Sequence, residues 1–191
     1  MAQTAADRGR EVRRKLLDAA VGLIAERGWT AVSTRVVAER AGVAPGLVHY
    51  HFSSVQGLLS EAAIGAMREV ATLLEPALAA ARTPEEAVAT LVSALDPYTG
   101  DDPTSVLFVE TYLAATRDPA LRDAVAEVIT DFRTRLATWF GAHGVADPEA
   151  TAAVVGGAVD GLVLQRALDP ALTAGLVAPV LRRLITTGGR T

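Results

Sequence analysis

Residues 33–52 read STRVVAERAGVAPGLVHYHF. The stretch divides into two short helices joined by a tight turn. Ser33 is an N-cap: its hydroxyl can accept a hydrogen bond from an orphan N–H one turn on. Val36, Val37, Ala38 and Ala41 then give an apolar face at helical spacing. Gly42 stands where the first helix should stop, at a position that tolerates a left-handed backbone. Pro45 suits the first turn of the next helix, where its missing N–H would have no partner anyway. That second helix, about Pro45 to His51, is short and carries Gly46, Leu47, His49, Tyr50 and His51. A crossing pair of helices with a glycine-containing turn is the helix-turn-helix arrangement. An ordinary helical hairpin in an all-α bundle fits the same local pattern, so the flanking sequence has to decide.

The chain has 191 residues, enough for one or two domains with a sizeable core. It is 50% hydrophobic with few aromatics, a composition of helix formers, and few segments alternate as strands do. Cysteine is absent, which excludes disulfides, a thiol switch and cysteine-ligated metal. The N-terminal stretch MAQTAADRGREVRR has no apolar h-region and reads as no secretory signal. The most apolar long run, about 151–168, contains Asp160, Gln165 and Arg166, which argues for a buried helix over a membrane span. The expected location is the cytoplasm.

The net charge of −4 hides an asymmetry. Residues 1–55 contain eight Lys/Arg and five acids, a net +3; the rest contains ten and seventeen, a net −7. A small basic head on an acidic body suits contact with a polyanion through one end only. Arg8, Arg10, Arg13, Arg14 and Lys15 concentrate positive charge at the entry to the first helix. They read either as a phosphate-binding arm or as a solvated basic terminus. His49 and His51, two apart on a helix, point in different directions and have no third ligand nearby, so no metal site is expected.

Taken in order, residues 1–9 read as disordered and the first helix as about Glu11 to Arg27, with Gly28 as its stop and Trp29 as a plug in the small core. Ser53 or Ser54 caps a long fourth helix, which Pro76 kinks or ends. Thr83-Pro84-Glu85-Glu86 is a strong helix start, with acids in the first turn. Residues 96–103 form a loop. Further helices are expected over about 104–116, 119–140, 148–168 and 173–186, with Asp118-Pro119 and Asp147-Pro148 as capped starts. The fold class is all-α: three short helices in a head, six longer ones in a body, with the boundary between residues 1–55 and 56–191.

These residues resemble the DNA-binding head of the tetracycline-repressor-like (TetR) family of transcriptional regulators. The resemblance rests on Ser33, Val37-Ala38, Ala41-Gly42-Val43, Gly46 and His49-Tyr50-His51-Phe52, and runs over about residues 11–59. Beyond it, Arg117 to Pro119 and Asp160-Gly161-Leu162 fit the family's architecture. Ala44 departs from the usual Ser or Thr cap, His49 from the usual Tyr, and Val55 from a Lys that commonly contacts phosphate. The resemblance implies that the second helix of the pair lies in the major groove and the first crosses the backbone. Arg35 is then the strongest candidate for base readout, since a guanidinium bonds guanine O6 and N7 together. Thr34 is placed for a phosphate, Pro45, Gly46, His49 and Tyr50 form the outer face, and Leu47 suits a thymine methyl. Val48 and Phe52 point inward, and His51 is ambiguous.

A head of this kind reads a half-site, so a homodimer on a palindromic double-stranded DNA operator is implied. Ala153, Gly157, Asp160, Gly161 and Leu164 line one side of the eighth helix with mostly small residues, and Val177, Val180, Leu181 and Leu184 give the ninth an apolar stripe. Both faces pack either against a second copy or within the chain. The resemblance further implies a small-molecule effector of unknown identity in the body, with Met67, Phe108, Glu110, Tyr112, Phe132, Trp139 and Gln165 as candidate contacts. Plain core packing competes for each of them. Glu110 pairs either with a cationic ligand or with an arginine such as Arg117. No Ser-His-Asp set, phosphate loop or dinucleotide fingerprint is present, so no enzymatic activity and no cofactor are expected. The expectation is a ligand-responsive transcriptional regulator, most simply a repressor. An α-helical small-molecule-binding or scaffolding protein without specific DNA binding is the alternative.

Overall fold

The computed structural model describes residues 5–186, and all regular structure among them is helical. In chain order the helices are α1 (Ala5–Arg27), a 3-10 turn (Trp29–Ala31), α2 (Thr34–Ala41), α3 (Pro45–His51) and α4 (Val55–Ala80). They continue with α5 (Pro84–Ser93), α6 (Pro103–Ala115), α7 (Pro119–Ala142), α8 (Pro148–Arg166) and α9 (Ala174–Thr186). This is the all-α layout that the sequence predicts. Packing groups them into two compact units. One holds the chain up to Met67 together with Val106–Val125; the other holds Arg68–Ser105 and the chain from Ala126 onward. Helices α4, α6 and α7 therefore contribute to both, and the packing boundary lies at a different place from residue 55.

In the first unit, Leu16, Ala20, Leu23 and Ile24 of α1 are fully buried, at the i, i+4, i+7, i+8 spacing of a helix that hides one stripe. Helix α1 begins earlier than apolar periodicity indicates: residues 5–10 are helical, whereas the sequence reads as disordered up to Gly9. Residues 1–4 lie outside the described residues. Trp29 is buried as expected, and its Nε1–H donates to Gln56 Oε1 at 2.8 Å, so the ring fills the core and its polar edge is satisfied. On α4 the fully buried face runs from Leu58 through Met67 and ends there. Pro76 neither breaks nor ends this helix, which continues to Ala80 with the proline on an exposed side.

In the second unit, α5 packs on α9 and α8. Its core is Val88, Leu91, Val92, Leu136, Phe140, Val155, Leu162 and their neighbours. Thr83 caps α5 by accepting the Glu86 N–H at 3.2 Å, while Glu86 reaches back to the Arg82 N–H at 2.8 Å. Asp118 caps α7 through the N–H groups of Ala120 and Leu121. Asp147 does not follow suit. It adopts φ 46°, ψ 56° and makes no side-chain cap bond, so α8 starts from Pro148 on backbone geometry alone. The cap the sequence leaves in a loop is Asp102, whose Oδ1 accepts the N–H groups of Thr104 and Ser105 at 3.0 Å.

Candidate nucleic-acid interface

Ser33 has extended backbone, and its Oγ accepts the Val36 N–H at 3.5 Å, opening α2. Val37 and Ala38 are buried, while Val36 and Ala41, read on the same apolar face, are half-buried. Gly42 takes φ 66°, ψ 35° and donates to Glu39 O at 3.2 Å; Val43 donates to Ala38 O at 3.0 Å. This is a Schellman motif, and the left-handed residue at its centre is why glycine stands there. Ala44 offers no side-chain cap, so α3 starts from Pro45. Val48 is fully buried and Phe52 nearly so, which anchors α3 from beneath. The Arg13 guanidinium lies 5.0 Å from the Phe52 ring centroid and pairs with Glu61 at 2.5 Å, so it braces α1 against α4 and covers the anchor.

The opposite face of α3 is open. Pro45, Gly46, His49 and Tyr50 are exposed, Tyr50 at 79%, and Leu47 and His51 are half-buried. Tyr50 and His51 meet edge to face at 5.0 Å. A Cβ added at Gly46 would meet nothing within 4 Å. Glycine inside a helix costs about 0.5–1 kcal/mol relative to alanine. Nothing in the packing of the described residues requires it there. Arg35 is exposed and Thr34 half-buried at the first turn of α2.

The basic residues of the head separate into two groups. Arg10 pairs with Asp7, Arg13 with Glu61, Lys15 with Glu11 at 3.0 Å, and Arg40 with Glu26. The Arg40 pair is bidentate, at 2.8 and 2.6 Å. Its hydrogen bond holds the Glu26 carboxyl below its ordinary range and raises the guanidinium. Arg8, Arg14, Arg27 and Arg35 make no ion pair among the described residues. Counting charge along the sequence treats the two groups alike; only the fold shows which cations are neutralised at home.

The residues singled out for an effector divide between the two units. Met67 is buried in the first unit, with Phe108 and Tyr112 half-buried there. Glu110 meets the backbone at the end of α1 and makes no ion pair with Arg117 among the described residues. Its Oε2 accepts the Trp29 N–H at 2.7 Å, and it lies against Gly28, the residue that ends α1. Phe132 and Trp139 pack on the second unit's core, and Trp139 stacks on His143 at 3.7 Å. Gln165 is exposed, and its neighbour Arg166 is the buried residue of the pair. Of the candidate interface residues, Ala153, Gly157 and Asp160 are exposed, as are Leu164, Val180 and Leu184; Gly161 and Val177 are half-buried. Leu181 is taken up by the core of its own chain. Val154 and Leu176, at 56% and 58% exposure, add to this apolar surface and were not singled out by sequence.

Among the described residues no group of three His, Asp or Glu is arranged to hold a metal, and no helix is long and apolar enough to cross a membrane. A helix-turn-helix head carried by a helical body defines a DNA-binding transcription regulator. The comparisons with known proteins agree. Residues 16–62 match the model of bacterial regulatory proteins of the tetR family, and residues 82–187 match the tetracyclin repressor-like C-terminal domain. The HTH-type transcriptional regulator BetI of Rhizobium meliloti is 31% identical over 168 residues, covering 84% of this chain and 80% of that protein. The match to BetI of Brucella canis is 35% identical over 81 residues but spans only 42% of this chain and 41% of that relative. Among solved structures, the Streptomyces coelicolor regulator SCO7518 has TM-score 0.79 and 31% identity over 92% of this chain and 99% of its own. The multidrug binding protein EbrR, complexed with imidazole, has TM-score 0.68 and 31% identity over 91% and 94%. A regulator from Saccharomonospora viridis in complex with choline has TM-score 0.77 over 93% and 96%, at 23% identity, a likeness of fold. The chain belongs to the TetR family of bacterial transcriptional regulators.

Proposed function

We propose that the chain represses transcription in the cytoplasm by binding a palindromic operator as a homodimer, and that a small-molecule effector releases it. Residues 1–55 read the DNA; residues 56–191 carry the effector site and the dimer contact. The observation that carries this reading is the outer face of α3. A tyrosine left largely exposed and a first-turn glycine with open space around it are not required by the packing of α3 itself, and they suit a helix pressed against a partner.

In the complex α3 enters the major groove, where Gly46 lets the backbone approach and Leu47 meets a thymine methyl. His49 and Tyr50 position the helix against phosphates, with Thr34 doing the same from α2. Arg35 supplies the bidentate contact to guanine, a discrimination of about 1–3 kcal/mol per half-site. Helix α3 holds no Lys or Arg, so its own readout is shape and apolar contact. Arg8 and Arg14 add phosphate neutralisation.

The second copy docks on α8 and α9. Exposed Val154, Leu164, Leu176, Val180 and Leu184 supply apolar area, and Gly157, with nothing within 4 Å of an added Cβ, leaves room for a partner helix. The small molecule held by EbrR, 31% identical to this chain, supports an effector of that size class. It acts as a population shift: the effector binds the DNA-incompetent form better, and DNA the other.

A gel-shift titration over genomic fragments tests the reading. A discrete complex of two chains per duplex is expected, weakened about 30-fold or more when Arg35 is replaced by Ala, since the 1–3 kcal/mol above is lost in both half-sites. Smearing, sequence-indifferent retardation that Arg35→Ala leaves unchanged would reduce the protein to a helical small-molecule binder.

A further inference from the structure

Arg166 is the last residue of α8, in the most apolar long run of the chain, and its side chain is 7% exposed. A guanidinium cannot shed its charge, so burial demands acceptors for its five N–H groups. The fold provides three carbonyls. Nε donates to Leu172 O at 2.8 Å, and Nη1 donates to Leu95 O and to Tyr98 O, the latter at 3.2 Å. These bonds close the end of α5 and the turn before α9. Nη2 is left over. It is buried and has no hydrogen-bond partner among the described residues. The Asp96 carboxylate stands 3.7 Å away, beyond hydrogen-bond distance, and is itself 62% exposed.

Arg166 and Asp96 both line a concavity of about 150 Å³. Tyr98, Pro170 and Leu172 supply apolar wall, and Thr173 a hydroxyl. The surrounding backbone is fixed. Gly100, at φ 90°, lies so close to the C-cap of α8 that an added Cβ would collide with the Ala167 backbone. Asp102 gathers the N–H groups of Thr99 and Gly100 and the Ser105 hydroxyl on one carboxylate oxygen. A preformed hollow with apolar walls and one buried, donor-rich cation is the composition of a small-ligand site.

We propose that this concavity binds a small monocarboxylate, whose oxygens take the Nη2 hydrogens once the exposed Asp96 side chain turns aside and uncovers the buried nitrogen. Carboxylate geometry matches a guanidinium edge, and charge-assisted bonds of this kind are the strong ones. A space of roughly 150 Å³ accommodates a molecule of about benzene's size, so the ligand is a compact aromatic or branched aliphatic acid. Asp96 competes for the same donors, and its exposure lets it turn out to solvent when the ligand enters.

The inference is independent of DNA binding, and calorimetry on the full chain without DNA tests it, with benzoate as probe and benzamide as its neutral isostere. Benzoate is expected to bind saturably and at least about tenfold more tightly than benzamide, the worth of one charge-assisted contact. Asp96→Asn removes the competing carboxylate from an exposed position and should tighten benzoate several-fold. Leu172→Trp fills the hollow and should abolish binding while circular dichroism stays helical. Equal binding of acid and amide, no saturable binding of benzoate, or an Asp96→Asn variant that binds as the parent does would each overturn the proposal.

Discussion

Replacing Glu110 by Ala removes the acceptor that holds the Trp29 N–H at 2.7 Å, at the point where α1 turns into the 3-10 segment. Both groups lie in the first unit, and the bond is partly buried and charge-assisted. Bonds to charged groups are worth about 1.5–3 kcal/mol, and the orphaned N–H is left without a replacement. At roughly 2–4 °C per kcal/mol for a chain of this length, the melting temperature should fall by about 3–12 °C. Glu110→Gln keeps an amide oxygen in place and loses only the charge, so it should lose about half as much, since charged bonds are roughly twice as strong as neutral ones. Thermal unfolding followed by circular dichroism at neutral pH, on the free protein, measures both. A carboxylate held for a cationic effector behaves in the opposite sense: removing it leaves the free protein as stable or more so, because binding residues are commonly strained or unpaired without ligand. If both variants melt within about 2 °C of the parent, the range of ordinary surface substitutions, the bond to Trp29 is not a structural tie and the reasoning fails.

Gly46→Ala should stabilise the free protein by at most about 0.5–1 kcal/mol, the mid-helix value, since the added methyl meets nothing and the position lies in the first turn of α3. The same change should weaken DNA binding in fluorescence anisotropy; unchanged affinity would mean that α3 does not approach a partner closely. Gly100→Ala should destabilise by about 1–3 kcal/mol or more in a denaturant titration, from the left-handed backbone and the Cβ contact with Ala167; a midpoint within error of the parent would contradict it. Burial raises the Asp102 carboxyl, but bonds from Ser105, Thr99 and Gly100 outweigh it and hold the group below its ordinary 3.8. A lowered folded value means the contribution is fully present above the unfolded value and is lost as pH falls through the folded one. The melting-temperature gap between the parent and Asp102→Ala should therefore be widest near neutrality and close in acid below 3.8; a gap constant with pH would sink the argument.

Local chemistry was legible in the sequence wherever one residue does one job. The Ser33 and Thr83 caps, the left-handed Gly42 and the Pro45 start need only their own backbone neighbours, and each forms as read. The first turn and a half of α1 was not legible, because residues 5–10, AADRGR, hold no large apolar side chain and so no apolar stripe. Asp147 shows the limit of cap reading: the right residue type precedes Pro148, yet its left-handed backbone turns the side chain away from the N–H groups. Gln165 and Arg166 show another. Helix α8 is apolar on nearly every side, so periodicity gives no phase, and the longer, charged neighbour is the one that buries because three carbonyls await it. Glu110 and Arg13 find partners 81 and 48 residues away, and no spacing rule reports contacts at that range.

Ser33 to Phe52 is expected to read DNA as one half of a two-fold dimer. Selection of duplexes from a random pool by the purified protein tests it most directly. The predicted result is an enriched palindrome with half-site centres one helical turn, about 10 base pairs, or a multiple apart. A guanine in each half-site should lose its enrichment in the Arg35→Ala protein. A pool that stays random, a motif without two-fold symmetry, or an Arg35→Ala protein that selects the same sequence would rule out a two-fold reading head.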